Sequence, residues 1–143
     1  MRRFLVAGIV AALGVAVLAT PASAIFDHHF SVIAKTRSFQ RVTKNKFRFK
    51  DVLLNPRNHS DRVGRDRGTC KQVTRRSLRC HARVHLNGEI GGFGDILVRG
   101  DLERQDNRVN VVGGTDDFDG VAGKMLIRTL TRNKDRLHFD LVK

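Results

Sequence analysis

The sequence contains no tryptophan and no tyrosine; its aromatic content is nine phenylalanines. Single-strand nucleic-acid binders usually stack bases on aromatic rings, and here that platform would rest on Phe alone, which counts against sequence-specific recognition of nucleic acid. Proline is nearly absent, with two residues. No apolar period of 3.6 residues persists over a dozen positions, so no helix is expected. Only two cysteines occur, Cys70 and Cys80. A structural zinc site needs about four ligands, and this pair cannot supply them. Neither cysteine has an identifiable base beside it, as a catalytic thiol requires. Acidic residues are scarce, 14 against 27 Lys and Arg.

The first residues have the layout of an export signal. Met1-Arg2-Arg3 is basic, Phe4 through Leu18 is an unbroken apolar and small-residue run, and Ala22-Ser23-Ala24 is a small-x-small cleavage site. A membrane span would need ~20 apolar residues, and Gly8, Gly14 and the early Pro21 count against one. The expected organisation is a signal peptide over residues 1–24 and one secreted domain over residues 25–143. Losing Arg2 and Arg3 leaves 25 basic residues against 14 acidic. That excess attracts polyanions by long-range steering. In an exported chain an even cysteine count reads as a disulfide. Arms of equal length on either side of Arg75 place Cys70 and Cys80 opposite each other across a hairpin turning near Thr74-Arg75-Arg76.

The mature chain reads as strands throughout. Phe30–Lys35 is short and apolar. Phe47–Leu54 alternates at period two before it mixes, and Asn55-Pro56 ends it. Gly64–Val73 is weaker, its glycines suggesting bulges or twist. Leu78–Leu86 alternates strictly, and Asn87-Gly88 is a strong hairpin signal. Glu89–Leu102, Arg108–Val112, Lys124–Thr131 and Leu137–Val142 complete the set. Eight short strands joined by turns predict an all-β fold, an eight-stranded antiparallel barrel or a sandwich, and a barrel leaves no open edge.

Between the sixth and seventh strands lies Gly113-Gly114-Thr115-Asp116-Asp117-Phe118-Asp119-Gly120-Val121-Ala122-Gly123. Locally this reads as a tight connection, because glycine and Asp both serve turns. Its order relative to Asp51-Val52-Leu53, Val63-Gly64, Gly68-Thr69-Cys70, Cys80, Leu86-Asn87-Gly88-Glu89-Ile90 and Gly100 is more specific. The chain resembles the allene oxide cyclase and dirigent-protein barrel superfamily, above all its short secreted bacterial members, which carry a similar cysteine pair. The resemblance runs from about Phe47 to Val142, and the segment Gly113, Gly114, Thr115, Phe118 and Gly123 carries most of it. It implies an eight-stranded antiparallel barrel with an apolar lumen, often trimeric. Plant members cyclise an epoxide fatty acid or orient phenoxy radicals, and some bacterial relatives catalyse pericyclic cyclisations. The family usually has glycine after Gly-Gly-Thr, where this chain has Asp116. No catalytic residue of the plant enzymes carries over.

Alternation assigns a lumen. Phe47, Phe49, Asp51 and Leu53 face inward on one strand, Ala82, Val84 and Leu86 on a second, and Leu137, Phe139 and Leu141 on the last. These nine apolar side chains are the expected ligand-binding set. Asp51 is the candidate catalytic residue, since burial would raise its pKa into the range of acid–base work. Two functions compete. One is a secreted barrel that binds a small apolar ligand in its lumen and guides a cyclisation or coupling without a cofactor. The other is a non-enzymatic basic module for anionic polymers or headgroups, using Arg65, Arg67, Lys71, Arg75, Arg76 and Arg79. No metal site is expected. Asp116, Asp117 and Asp119 lack the full calcium-loop pattern, and His81 and His85 lie about 13 Å apart along a strand.

Overall fold

The computed structural model describes residues 27–103 and 107–143; the expected signal peptide lies outside them. Eight strands close into one antiparallel barrel, each paired with its sequence neighbours and the last with the first. They are β1 (Asp27–Thr43), β2 (Lys46–Leu54), β3 (Arg62–Gln72), β4 (Ser77–Asn87), β5 (Phe93–Glu103), β6 (Arg108–Gly114), β7 (Ala122–Thr131) and β8 (Lys134–Val142). Among the described residues no helix is long and apolar enough to cross a membrane.

The first strand is much longer than its apolar pattern suggests. Its second half, from Thr36 onward, is mostly exposed and does not alternate, yet it stays paired with β2 through register shifts at Thr36/Ser38 and Arg41/Thr43. Ladder hydrogen bonds to a partner strand override weak local signal there. Gly91 and Gly92 belong to the β4–β5 turn instead of the strand, and both have positive φ. A register shift falls between Leu53 and Leu54, opposite Val63 and beside Gly64. Gly68 has a packing role. A Cβ there would meet the Phe49 ring at 2.5 Å and Ala82 Cβ at 2.7 Å, so glycine makes room for Phe49 inside the barrel.

The glycine-rich connection does more than turn the chain. Asp116–Phe118 forms one 3-10 turn, and Phe118 is fully buried. Thr115 N–H donates to the Asp95 carbonyl at 2.9 Å, and its hydroxyl accepts from Asp95 N–H at 3.1 Å. Asp117 accepts from Phe93 N–H at 2.8 Å. These bonds tie the connection to β5 and seat Phe118 across one end of the barrel. Phe118 lies near Phe30, which stacks on Phe139 with ring centroids 4.8 Å apart. The three rings form a floor. Asp116 has φ +56°, the left-handed conformation that favours glycine. The glycine that the resemblance leads one to expect here would adopt it freely, and Asp is among the few other residues that tolerate it.

Candidate functional site: a lumen with paired carboxylates

The barrel is solid at the floor and hollow above it. Leu53, Val84, Leu86, Phe139 and Leu141 face inward but are fully buried in the packed lower half. Above them is a cavity of about 230 Å³. Phe49, Asp51, Ala82 and Leu137 line it, joined by Thr36, Phe39, Val98 and Met125. Of the nine apolar residues assigned to ligand binding, then, three border free space. Five others form the core that supports it. Phe47 lies at the rim, its ring stacked on Phe39 at 5.5 Å, with the Arg41 guanidinium 5.5 Å from its centroid. Phe39 itself is 65% exposed although it borders the cavity, which marks this end as the mouth.

Cys70 and Cys80 are direct cross-strand partners joined by a disulfide, and both border the cavity. The turn between them spans residues 73–76, as the equal arms predict.

The polar content of this cavity is concentrated. Asp51 on β2 and Asp66 on β3 are register partners, and both border the cavity together with Asp135 of β8. Asp66 is 5% exposed. One oxygen of Asp51 and one of Asp66 are buried with no hydrogen-bond partner. Burial, then the charge of Asp51, pushes Asp66 up to about 8; a hydrogen bond from the Arg67 backbone opposes the rise. Burial, then the charge of Asp135, pushes Asp51 up to about 6 against a hydrogen bond from Thr36. Two carboxyls this close cannot both ionise freely. At neutral pH the pair therefore holds a proton, more firmly on Asp66. It offers an acid and a base side by side over an apolar surface.

Asp66 escapes the pattern because Arg65 and Arg67 flank it and the segment looks like a solvated charge run. A signal existed. Once Cys70 is set opposite Cys80, period two along β3 turns Asp66 inward.

The basic residues lie elsewhere. Arg75 and Arg76 are exposed in the β3–β4 turn. Lys71 faces Arg79 across the β3–β4 ladder, but Arg79 is engaged by Asp101 through two hydrogen bonds of 2.8 and 3.0 Å. Its guanidinium is thus partly neutralised for an outside anion. Arg65 and Arg67 point away from the lumen, opposite in parity to Asp66. Arg67 borders an outer groove with Arg48, Lys50, Arg83 and Arg99, four cations absent from the expected set.

No family model matches the sequence, and no curated protein matches it. Solved structures do. One is a pyocyanin demethylase, 17% identical, with a TM-score of 0.63 over 79% of this chain and 98% of that one. A second is a pterocarpan synthase dirigent protein, 12% identical, with a TM-score of 0.62 over 84% and 94%. The fold is that of the allene oxide cyclase and dirigent-like barrels. A third structure, a heme-binding cyclase of a [4 + 2] cycloaddition, is 9% identical with a TM-score of 0.56 over 84% of this chain and 63% of that one. At such identities the likeness concerns the dirigent-like barrel as a scaffold, and scaffolds of this kind host unrelated chemistries.

Proposed function

We propose that this dirigent-like barrel binds a small, largely apolar molecule in its lumen and assists its cyclisation or isomerisation by proton transfer between Asp66 and Asp51. The observation that carries this reading is the cross-strand carboxylate pair bordering an apolar cavity. A dry cavity of ~150 Å³ accommodates one benzene ring, so about 230 Å³ suits a ligand of one or two rings. Protonated Asp66 donates to an oxygen that gains negative charge in the transition state. Ionised Asp51 accepts a proton from the same molecule. Proton count and redox state are unchanged, so no oxidant or cofactor is called for. The walls supply the rest by holding the substrate folded near its reactive shape. Structural neighbours whose names describe a demethylase, a dirigent synthase and a cyclase support a small-molecule role for the scaffold. The disulfide suits an oxidising compartment, in keeping with export.

The test is a crystal soaked with a one- or two-ring apolar probe. The expected result is density between Phe49, Leu137 and Met125, within hydrogen-bond reach of Asp66. Density confined to the outer surface overturns the reading.

A second reading, binding of polyanions, draws support from one feature. Lys50, Arg67 and Arg83 face one another in a single row across β2, β3 and β4. Like charges directly opposite are destabilising, and Arg83 lies 3.6 Å from Asp95, a long ion pair. An anion along the groove would relieve that repulsion. Retention on a heparin matrix that falls steeply with salt is expected. Loss of retention after Arg75 and Arg76 are replaced, with Lys50 and Arg67 intact, counts against the groove.

A further inference from the structure

The outer face where the barrel closes carries a second cluster, remote from the lumen. His29 of β1 and Asp140 of β8 are register partners, as are Ser31 and His138, so the four side chains form one cross-strand block. Asp140 Oδ1 accepts from His29 Nδ1 at 2.7 Å and from His138 Nε2 at 3.0 Å. All three ligand-type atoms lie within 4.8 Å of one another. We propose that His29 Nδ1, His138 Nε2 and an Asp140 carboxylate oxygen form a binding site for a divalent transition metal, zinc in the first instance, with a fourth position open to water.

Proximity alone is weak grounds, since exposed histidines and carboxylates often pair. The second coordination layer makes the difference. A metal-bound histidine almost always donates its other ring N–H to an oxygen partner, which fixes the tautomer and ring orientation. Both histidines have that partner. His29 Nε2 donates to Asp27 at 2.7 Å, on the side away from His138 and Asp140. His138 Nδ1 is 2.8 Å from Ser31 Oγ. In each ring the nitrogen facing the cluster is the one available to a metal, and the opposite nitrogen is held by β1. Two histidines and one carboxylate with an open position is a common zinc arrangement. Zinc–ligand bonds of about 2.1 Å put tetrahedral ligands roughly 3.4 Å apart, so the present 2.7 and 3.0 Å contacts would open by less than an ångström.

Without metal the cluster is an ion pair. The hydrogen bond to Asp140, aided by Asp27, holds His29 above its ordinary pKa, and the same bond holds Asp140 below the usual carboxylate range. Metal entry expels the His29 Nδ1 proton to solvent and shifts the His138 proton to Nδ1, where Ser31 Oγ accepts it. Affinity therefore falls with acid. Lys124 of β7 stands opposite Asp140 and Leu126 opposite His138, so one nearby ammonium opposes the cation and no further ligand comes from that side.

The experiment is calorimetric titration of the tag-free protein with zinc chloride near neutral pH, with cobalt(II) absorption as a geometric probe. One equivalent is expected, with visible bands of a four-coordinate ion. His29→Ala and His138→Ala should each weaken binding ~10-fold or more, and Asp27→Asn by a smaller factor. His81→Ala should leave it unchanged. Asp27, His29 and His81 are exposed and His138 is half-buried, and equal melting temperatures without metal establish that the variants fold. Absence of binding at about 0.1 mM zinc, far weaker than typical structural sites, overturns the proposal. So does binding that survives replacement of both His29 and His138.

Discussion

Asp51 and Asp66 are direct partners on adjacent strands, and both open into the same cavity. Antiparallel partners stand only ~5 Å apart, so neither can ionise without opposing the other. Most of the described carboxylates face solvent. This pair is retained where burial makes it costly, and the cost depends on pH.

Asp66→Asn should raise stability, and increasingly so as pH rises. The ordinary aspartate pKa is 3.8, and in the folded protein Asp66 is pushed up to about 8. A raised folded-state value means that the protonated form is favoured by folding. That contribution is complete below pH 3.8 and is lost as pH climbs through about 8. Thermal melts of the two proteins should agree near pH 4 and diverge by pH 8, by an amount on the order of a few kcal/mol. A constant difference across that range would show that Asp66 does not titrate as described.

Asp51→Asn should keep the fold and remove the base. If turnover of a cyclisable substrate is found, its pH profile should be bell-shaped, with limbs near 6 and 8 that belong to the pair as a unit. The variant should lower kcat by about 10²–10⁴ and abolish the acid limb. An unchanged profile assigns the chemistry to other groups.

Gly68→Ala should destabilise by about 1–3 kcal/mol through overpacking against Phe49, Ala82 and the His81 carbonyl. The effect should be smaller in a Phe49→Ala background, because the ring that needs the space is gone. A double-mutant cycle with denaturant unfolding measures the coupling; strict additivity would show that Phe49 and Gly68 do not share space.

Replacing both Cys70 and Cys80 with serine should cost about 3 kcal/mol or somewhat less, the loop-closure value for so short a loop. The loss should appear in guanidinium unfolding as a lower midpoint. Both residues border the cavity, so affinity for an apolar probe should fall as well.

At residue 116, Gly should be at least as stabilising as Asp, whereas Val should cost about 1–2 kcal/mol, because φ is +56°. Equal stability for all three would mean that the turn relaxes. A disturbed Phe118 would then expose the floor, which dye binding to apolar surface detects.

Much of the architecture follows from local pattern. Period two on Phe47–Leu54 and Leu78–Leu86 fixes which side chains point inward, because alternate residues of a strand face opposite sides. The symmetric arms around Arg75 fix one hairpin, and with it the Cys70–Cys80 bond; Asn87-Gly88 marks a second, although its turn runs over residues 88–92 before Phe93 pairs with Asn87, not over two residues. These are short-range consequences of chain geometry, so they are legible in one dimension.

What local pattern does not contain is depth along the barrel axis. Phe139 and Phe49 are equally inward and equally aromatic, yet Phe139 is sealed in the floor with Phe30 and Phe118, and Phe49 borders open space. Only the stagger of closed strands and the fold of the Gly113–Gly123 connection decide between those fates. The same holds for Asp66, polar in a basic run but inward by register. It holds again for His29, Ser31, His138 and Asp140, which lie at opposite ends of the chain and meet only because the last strand hydrogen-bonds to the first. Facing direction is a property of one strand and its alternation. Cavity, floor and cross-seam clusters are properties of closure, which joins residues more than 100 positions apart.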